Sequence, residues 1–210
     1  MTIKAFVYTE LQNHLPFGEA PWRKLNPIIR TQPGFINKTW LSGVDNLSVG
    51  GFYSFNSIEN AQKFVTAYFP DEVRGFHVAH TTRIFDALVV EEASREMNSV
   101  HFGNKLEVKP GAFVYTEVQL SVPFEEVPWR KLNPILKRQP GLLTKTWLSG
   151  LHTKTPGGIY AFDTIENARS FAVNYFPTEA ANLNAAFTTK IFDGKVVEEA
   201  SREMLSPFYN

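Results

Sequence analysis

LNPIIRTQPGFINKTWLSGVDNLSVGGFYSFNSIENAQKFVTAYF, residues 25–69, carries four element patterns in succession. It opens inside a helical segment, residues 19–32, where Pro21 suits a first turn and Leu25, Ile28 and Ile29 recur at helical spacing. Pro27 lacks an amide proton and crowds the carbonyl four residues earlier, so a kink or a break is expected there. Pro33 and Gly34 end the helix. Residues 35–44 and 51–55 read as two antiparallel strands joined by a polar loop, 45–49, longer than a tight turn. After Ser57, a likeness of an N-cap, Ile58, Ala61, Phe64, Val65 and Tyr68 share one helical face, and Pro70 is expected to end it.

Working outward, KAFVYTEL upstream alternates aromatic and β-branched residues as a strand does. Downstream, residues 78–85 predict a last strand, and VVEEASREM at Val89 predicts a short amphipathic helix. Strand, helix, strand, strand, helix, strand is the split βαβ order of a ferredoxin-like unit, a four-stranded antiparallel sheet with both helices on one face. The other face needs a partner.

The chain supplies one. AFVYTE at Ala5 returns at Ala112, PWRKLNPI at Pro21 returns at Pro128, and VVEEASREM at Val89 returns at Val196, always 107 residues later. Roughly three residues in five are identical and no gap interrupts the register, the mark of a whole-domain duplication. The expected class is α+β: two tandem ferredoxin-like units, 1–98 and 112–210, joined by a 99–111 linker and closing a pseudo-dimeric α+β barrel. Residues 106–109 are expected to add an edge strand. The chain is expected to be a monomer with this internal pseudo-dimer, compatible with further dimerisation.

Composition removes several classes. Charge balances at 21 basic against 21 acidic residues and no basic run stands apart, so nucleic acid is not an expected partner. The lack of cysteine excludes disulfides, thiolate metal sites and cysteine nucleophiles. MTIKAFVYTE has no secretory pattern and no window reaches the length of a membrane span, so a cytoplasmic location without membrane association is expected. Eighteen phenylalanines and four tryptophans can fill a core or line an apolar pocket for a small-molecule ligand.

LNPIIRTQPGF followed by KTW at Lys38, GGFYSF at Gly50 and the helix start SIENA resembles the YdhR-like monooxygenase family. The second copy, with KTW at Lys145 and GGIYAF at Gly157, is closer still. The resemblance places the chain near the dimeric α+β barrel superfamily, which includes cofactor-independent monooxygenases of aromatic polyketides, haem-degrading enzymes and members without proven activity. YdhR-like proteins are usually single units that pair as homodimers, whereas this chain carries both units.

The leading candidate constellation lies on the hairpin. Lys38, Trp40 and Ser42 share one strand face by period-two spacing, and Tyr53 and Phe55 share a face of the partner strand. If that face lines the barrel, Lys38, Trp40 and Tyr53 gather in one half and Lys145, Trp147 and Tyr160 in the other. Tyr8 and Glu10, with Tyr115 and Glu117, are expected to enter from the first strand. A desolvated lysine can take a proton from a phenolic substrate while Trp and Tyr stack on its rings. The same pattern suits a filled core in which Lys38 pairs with Glu10 or reaches water. PWRKLNP places Trp22, Arg23, Lys24 and Asn26, and in the second copy Trp129, at a helix start, where free amides favour an anion; more often such a segment is an amphipathic helix turn with Trp as its buried staple.

The five histidines, His14, His77, His80, His101 and His152, fall at the offset on Ser121, Asn184, Phe187, Phe208 and Asp45. No histidine site can therefore be present twice, and no metal site is expected. EEASRE at Glu91 and Glu198 reads as a solvated face with Glu–Arg pairing.

The resemblance implies a cofactor-independent monooxygenase-like protein binding a small hydrophobic or aromatic molecule in the barrel. On that implication Lys38, Lys145, Tyr53 and Tyr160 are the candidate catalytic residues. Trp40, Trp147, Tyr8, Tyr115, Glu10, Glu117, Trp22 and Trp129 are the candidate substrate contacts. A non-catalytic ligand-binding or scaffold barrel is the alternative, and a haem-binding or haem-degrading protein using His77 or His80 is the third reading.

Overall fold

A computed structural model of the chain describes residues 2–13 and 15–209. His14 lies outside the described residues. The contacts divide the chain into two compact units, one of residues 1–88 with 196–210 and one of residues 89–195. Sequence repeats and compact units therefore differ in extent: the VVEEASREM segment of each repeat folds into the unit built by the other.

The first unit contains β1 (Ala5–Gln12), α1 (Trp22–Arg30), β2 (Phe35–Ser42), β3 (Ser48–Phe55), α2 (Ile58–Lys63), α3 (Phe69–Arg74) and β4 (His80–Asp86). Its sheet order is β2-β3-β1-β4, every pair antiparallel, as expected of a ferredoxin-like unit. The second unit begins with α4 (Glu91–Glu96), followed by β5 (Ala112–Val118), α5 (Trp129–Leu136), β6 (Leu142–Ser149) and β7 (Pro156–Phe162). It continues through α6 (Ile165–Ser170), α7 (Phe176–Asn182) and β8 (Phe187–Asp193), with sheet order β6-β7-β5-β8. The last helix, α8 (Glu198–Glu203), belongs to the first unit. The fold is thus α+β, with two four-stranded antiparallel sheets in two ferredoxin-like units.

Three local expectations change. Pro27 does not divide α1: it lies on the exposed side of one continuous helix, where the carbonyl its ring leaves unbonded can meet water. Pro70 does not end its helix either. Residues Phe64–Tyr68 form a π-helical turn in which the Phe69 amide donates to the Phe64 carbonyl, five residues back, and α3 resumes with Pro70 near its start. The wider turn shifts the ladder where the proline has no amide to give. Residues 106–109 form no strand.

The exchanged segments seal the outer strand of each sheet. In the first unit, the Lys38 amide donates to the Met204 carbonyl, and the Trp40 amide donates to Ser201 Oγ at 3.0 Å. In the second, Lys145 donates to the Met97 carbonyl and Trp147 to Ser94 Oγ at 2.9 Å. Edge amides that would otherwise be open to pairing are satisfied. EEASRE is the solvated face expected of it, with Arg95–Glu91 and Arg202–Glu198 pairs four residues apart.

Candidate functional site

Register decides which side chains meet. In the second unit Lys145 stands opposite Tyr160 across β6 and β7, and Tyr160 stands opposite Val114 of β5. Trp147, two residues beyond Lys145, is opposite Gly158. Lys145, Trp147 and Tyr160 therefore share a face, and the Tyr160 ring packs on Phe171 of the helix at 4.8 Å between centroids. The same face in the first unit carries Lys38, Trp40 and Tyr53, with Tyr53 on Phe64 at 4.9 Å. The hairpin constellation is present twice, between sheet and helices within each unit, rather than on the sheet face left free of helices.

Tyr8, Glu10, Tyr115 and Glu117 lie on the opposite face. Tyr8 is opposite Phe52 and Glu10 opposite Gly50, one step out of phase with Tyr53. They hydrogen-bond within their own strand, Tyr8 to Glu10 at 3.1 Å and Tyr115 to Glu117 at 2.7 Å. They do not join the lysine, and Glu10 is not its partner. Trp22 and Trp129 are buried, each beneath the guanidinium of its neighbour, Arg23 or Arg130, at 4.0 Å from the ring centroid. They line neither cavity described below, and Arg23 is engaged by Glu199 at 2.8 Å. The PWRKLNP segment instead serves the site through its asparagine: Trp147 Nε1 donates to Asn133 Oδ1 at 2.9 Å, as Trp40 does to Asn26. Each asparagine then donates to a carbonyl of the exchanged helix, Ala93 or Ala200.

Both lysines are 1% exposed. Lys145 Nζ lies 2.7 Å from the Trp147 ring centroid and 4.8 Å from that of Tyr160; Lys38 Nζ lies 2.8 Å and 4.8 Å from Trp40 and Tyr53. Burial pulls both ammonium groups well below the usual lysine range, and in the first unit the Glu72 carboxylate pulls Lys38 part of the way back. Burial pushes the phenols of Tyr53 and Tyr160 up, so both remain protonated donors at neutral pH.

The two copies differ in the space beside these groups. In the second unit a cavity of about 300 Å³ reaches Lys145, Trp147 and Tyr160 and is otherwise largely apolar, with Val118, Leu132 and Leu136 among its walls. In the first unit the corresponding space is about 40 Å³. Tyr175 and Glu179 are among the residues of the larger cavity not singled out from sequence. Tyr175 presents a buried hydroxyl without a hydrogen-bond partner, its pKa pushed up to about 12 by burial and the nearby Glu179 charge. Glu179 itself also lines the cavity. The signal for Tyr175 was its place on the apolar helical stripe, which reads as core until the cavity is seen.

His77 and His80 are exposed and line neither cavity. His101 is buried against Thr146 Oγ1 at 2.8 Å, and burial pulls its pKa to about 3. Among the described residues no group of three or more His, Cys, Asp or Glu side chains is placed to hold a metal ion, and no helix is long and apolar enough to cross a membrane.

No protein-family model and no curated protein sequence matches the chain. Solved structures do. An anthrone oxidase-like protein superposes with a TM-score of 0.60 at 16% identity, covering 90% of each chain. A chlorite dismutase-like protein superposes at 0.53 and 13% identity, covering 95% of this chain and 99% of its own. A monooxygenase-like protein from Listeria innocua reaches 0.48 at 11% identity, covering 90% and 94%. At these identities the likeness is one of fold alone, and the two superpositions above 0.5 carry it.

Proposed function

We propose that the chain binds a small, flat, weakly acidic aromatic molecule in the second-unit cavity and acts on it as a cofactor-independent monooxygenase. The supporting observation is the cavity of about 300 Å³ that meets a buried lysine resting on an indole ring. That volume is at the lower end of the roughly 300–1,000 Å³ of small-molecule sites, and its apolar walls suit a fused-ring compound.

In this reading Lys145 enters the reaction as a neutral amine, a state its burial favours. It takes a proton from an acidic ring methylene or phenol, and the Tyr160 phenol donates to the oxygen on which negative charge accumulates. The anion passes one electron to dioxygen, and the resulting radical and superoxide combine to a ring peroxide. Return of the proton and loss of water leave a carbonyl. For an anthrone the balance is one CH₂ plus O₂ giving one C=O plus H₂O, with both oxidising equivalents drawn from dioxygen. Trp147 is available to stack on the rings, and no metal or flavin is called on.

The test is oxygen uptake and quinone absorbance with 1,8-dihydroxyanthrone. Lys145→Ala is expected to lower kcat by about 10²–10⁴-fold, the usual contribution of a positioned proton acceptor. Turnover unchanged in that variant removes the lysine from the chemistry. Binding without turnover in the wild-type chain leaves a ligand-binding module.

A further inference from the structure

We infer that the chain holds a single ligand site, in the second unit, and that the first copy has filled its equivalent space with its own side chains. This rests on the ligand-binding reading above for its chemistry, but its geometry stands alone. Val73, Phe76 and Val78 occupy the positions that hold Ala180, Leu183 and Ala185 in the second copy. Phe76 and Val78 line the space of about 40 Å³, whereas Ala180 and Leu183 line the cavity of about 300 Å³. At all three positions the first copy carries the larger group.

The polar groups differ in how they are engaged. Glu72 and its counterpart Glu179 both line their spaces, but Glu72 acts on Lys38, Tyr53 and Tyr68, whereas burial alone acts on Lys145 and Glu179 acts on Tyr175. In the second copy the Tyr175 hydroxyl, on the cavity wall, has no partner. A buried hydroxyl without a partner is left short of a hydrogen bond, which an acceptor oxygen on a bound ligand would supply. Lys145, Tyr160 and Tyr175 thus converge on a space left for a ligand that is apolar in its body and carries an oxygen acceptor. Ala180 and Leu183 set its size, and the Tyr175 hydroxyl lacks the carboxylate partner that its counterpart Tyr68 has in Glu72.

Two measurements on the intact chain test this. Under xenon pressure, NMR shifts are expected for Ala180, Leu132 and Val118 and not for Val73, Leu25 and Leu11, because only the larger cavity admits the atom. In titrations with 1,8-dihydroxyanthraquinone, one molecule is expected to bind per chain. Ala180→Val with Leu183→Phe, which installs the first copy's own side chains, is expected to weaken binding at least tenfold while the far-ultraviolet circular dichroism is kept. Tyr175→Phe is expected to weaken binding several-fold without closing the cavity to xenon. Xenon in both spaces, or two quinones per chain, overturns the single-site inference and leaves the ligand-binding reading standing. Xenon confined to the second unit with no quinone bound has the reverse meaning: the asymmetry holds and the ligand class is wrong.

Discussion

Gly51 and Gly158 stand opposite Trp40 and Trp147 in the strand register, and the room left by their missing side chains is where the lysine stems run. A Cβ on Gly158 would fall 2.8 Å from Lys145 Cε and 2.8 Å from Tyr160 Cε2, and one on Gly51 would fall 2.5 Å from Lys38 Cε. Gly158→Ala is expected to destabilise by about 1–3 kcal/mol through overpacking and to dislodge Lys145 from the indole, read by chemical denaturation. The preceding glycines serve a different need, since a Cβ on Gly157 would strike the Thr116 carbonyl oxygen. Lysine burial also predicts a pH dependence. Lys145 has a folded pKa well below its unfolded value of about 10.4, so between the two values the unfolded chain binds more protons and stability rises with pH. The lysine therefore costs stability at neutral pH and the cost fades toward pH 10. Lys145→Met is expected to raise Tm at pH 7, and its advantage is expected to shrink by about 1.4 kcal/mol per pH unit across that interval. A constant difference at all pH values would mean the ammonium is not desolvated.

At the scale of elements, β2 and β6 are outer strands whose side chains build the site and whose amides depend on helices from the other repeat. Ser201 Oγ accepts from the Trp40 amide and Ser94 Oγ from the Trp147 amide, both buried. Ser94→Ala leaves one buried amide without a partner and is expected to cost about 1–3 kcal/mol, measured by urea unfolding. Ser201→Ala is expected to cost the same in the first unit. Much of this level was legible beforehand. The βαββαβ order follows from periodicity and turn residues, and the capping of α2 by Ser57, whose Oγ accepts from the Asn60 amide at 3.1 Å, follows from residue type. The face was not legible. Period two says that Lys38 and Trp40 lie together, but a slip of one residue against β1 would put Tyr8 in the place of Val7 opposite Tyr53, and only the pairing settles that. The continuation of the helix past Pro70 was hidden for a similar reason: a π turn has no residue signature of its own.

At the scale of the chain, the exchange of VVEEASREM segments makes each unit discontinuous or offset with respect to its repeat. A chain ending at residue 195 loses α8 and with it the partners of the Lys38 and Trp40 amides and the Thr39–Ser206 hydroxyl pair. Hydrogen exchange is expected to show those β2 amides unprotected in the truncated chain, while Lys145 and Trp147 keep their protection because residues 89–195 contain their partners. Loss of protection in both units alike would mean that they unfold as one body.

The amino-acid sequence alone determined the class, the repeat and the company of Lys, Trp and Tyr on one strand face, because alternation and turn chemistry are local properties that a chain carries wherever it folds. Tertiary structure decided the rest: which face the helices cover, which repeat lends its last helix to which sheet, and which of two near-identical sites stays open. Those outcomes depend on register and on side-chain volumes such as Phe76 against Leu183, which matter only once the sheet and helix that enclose them are packed together.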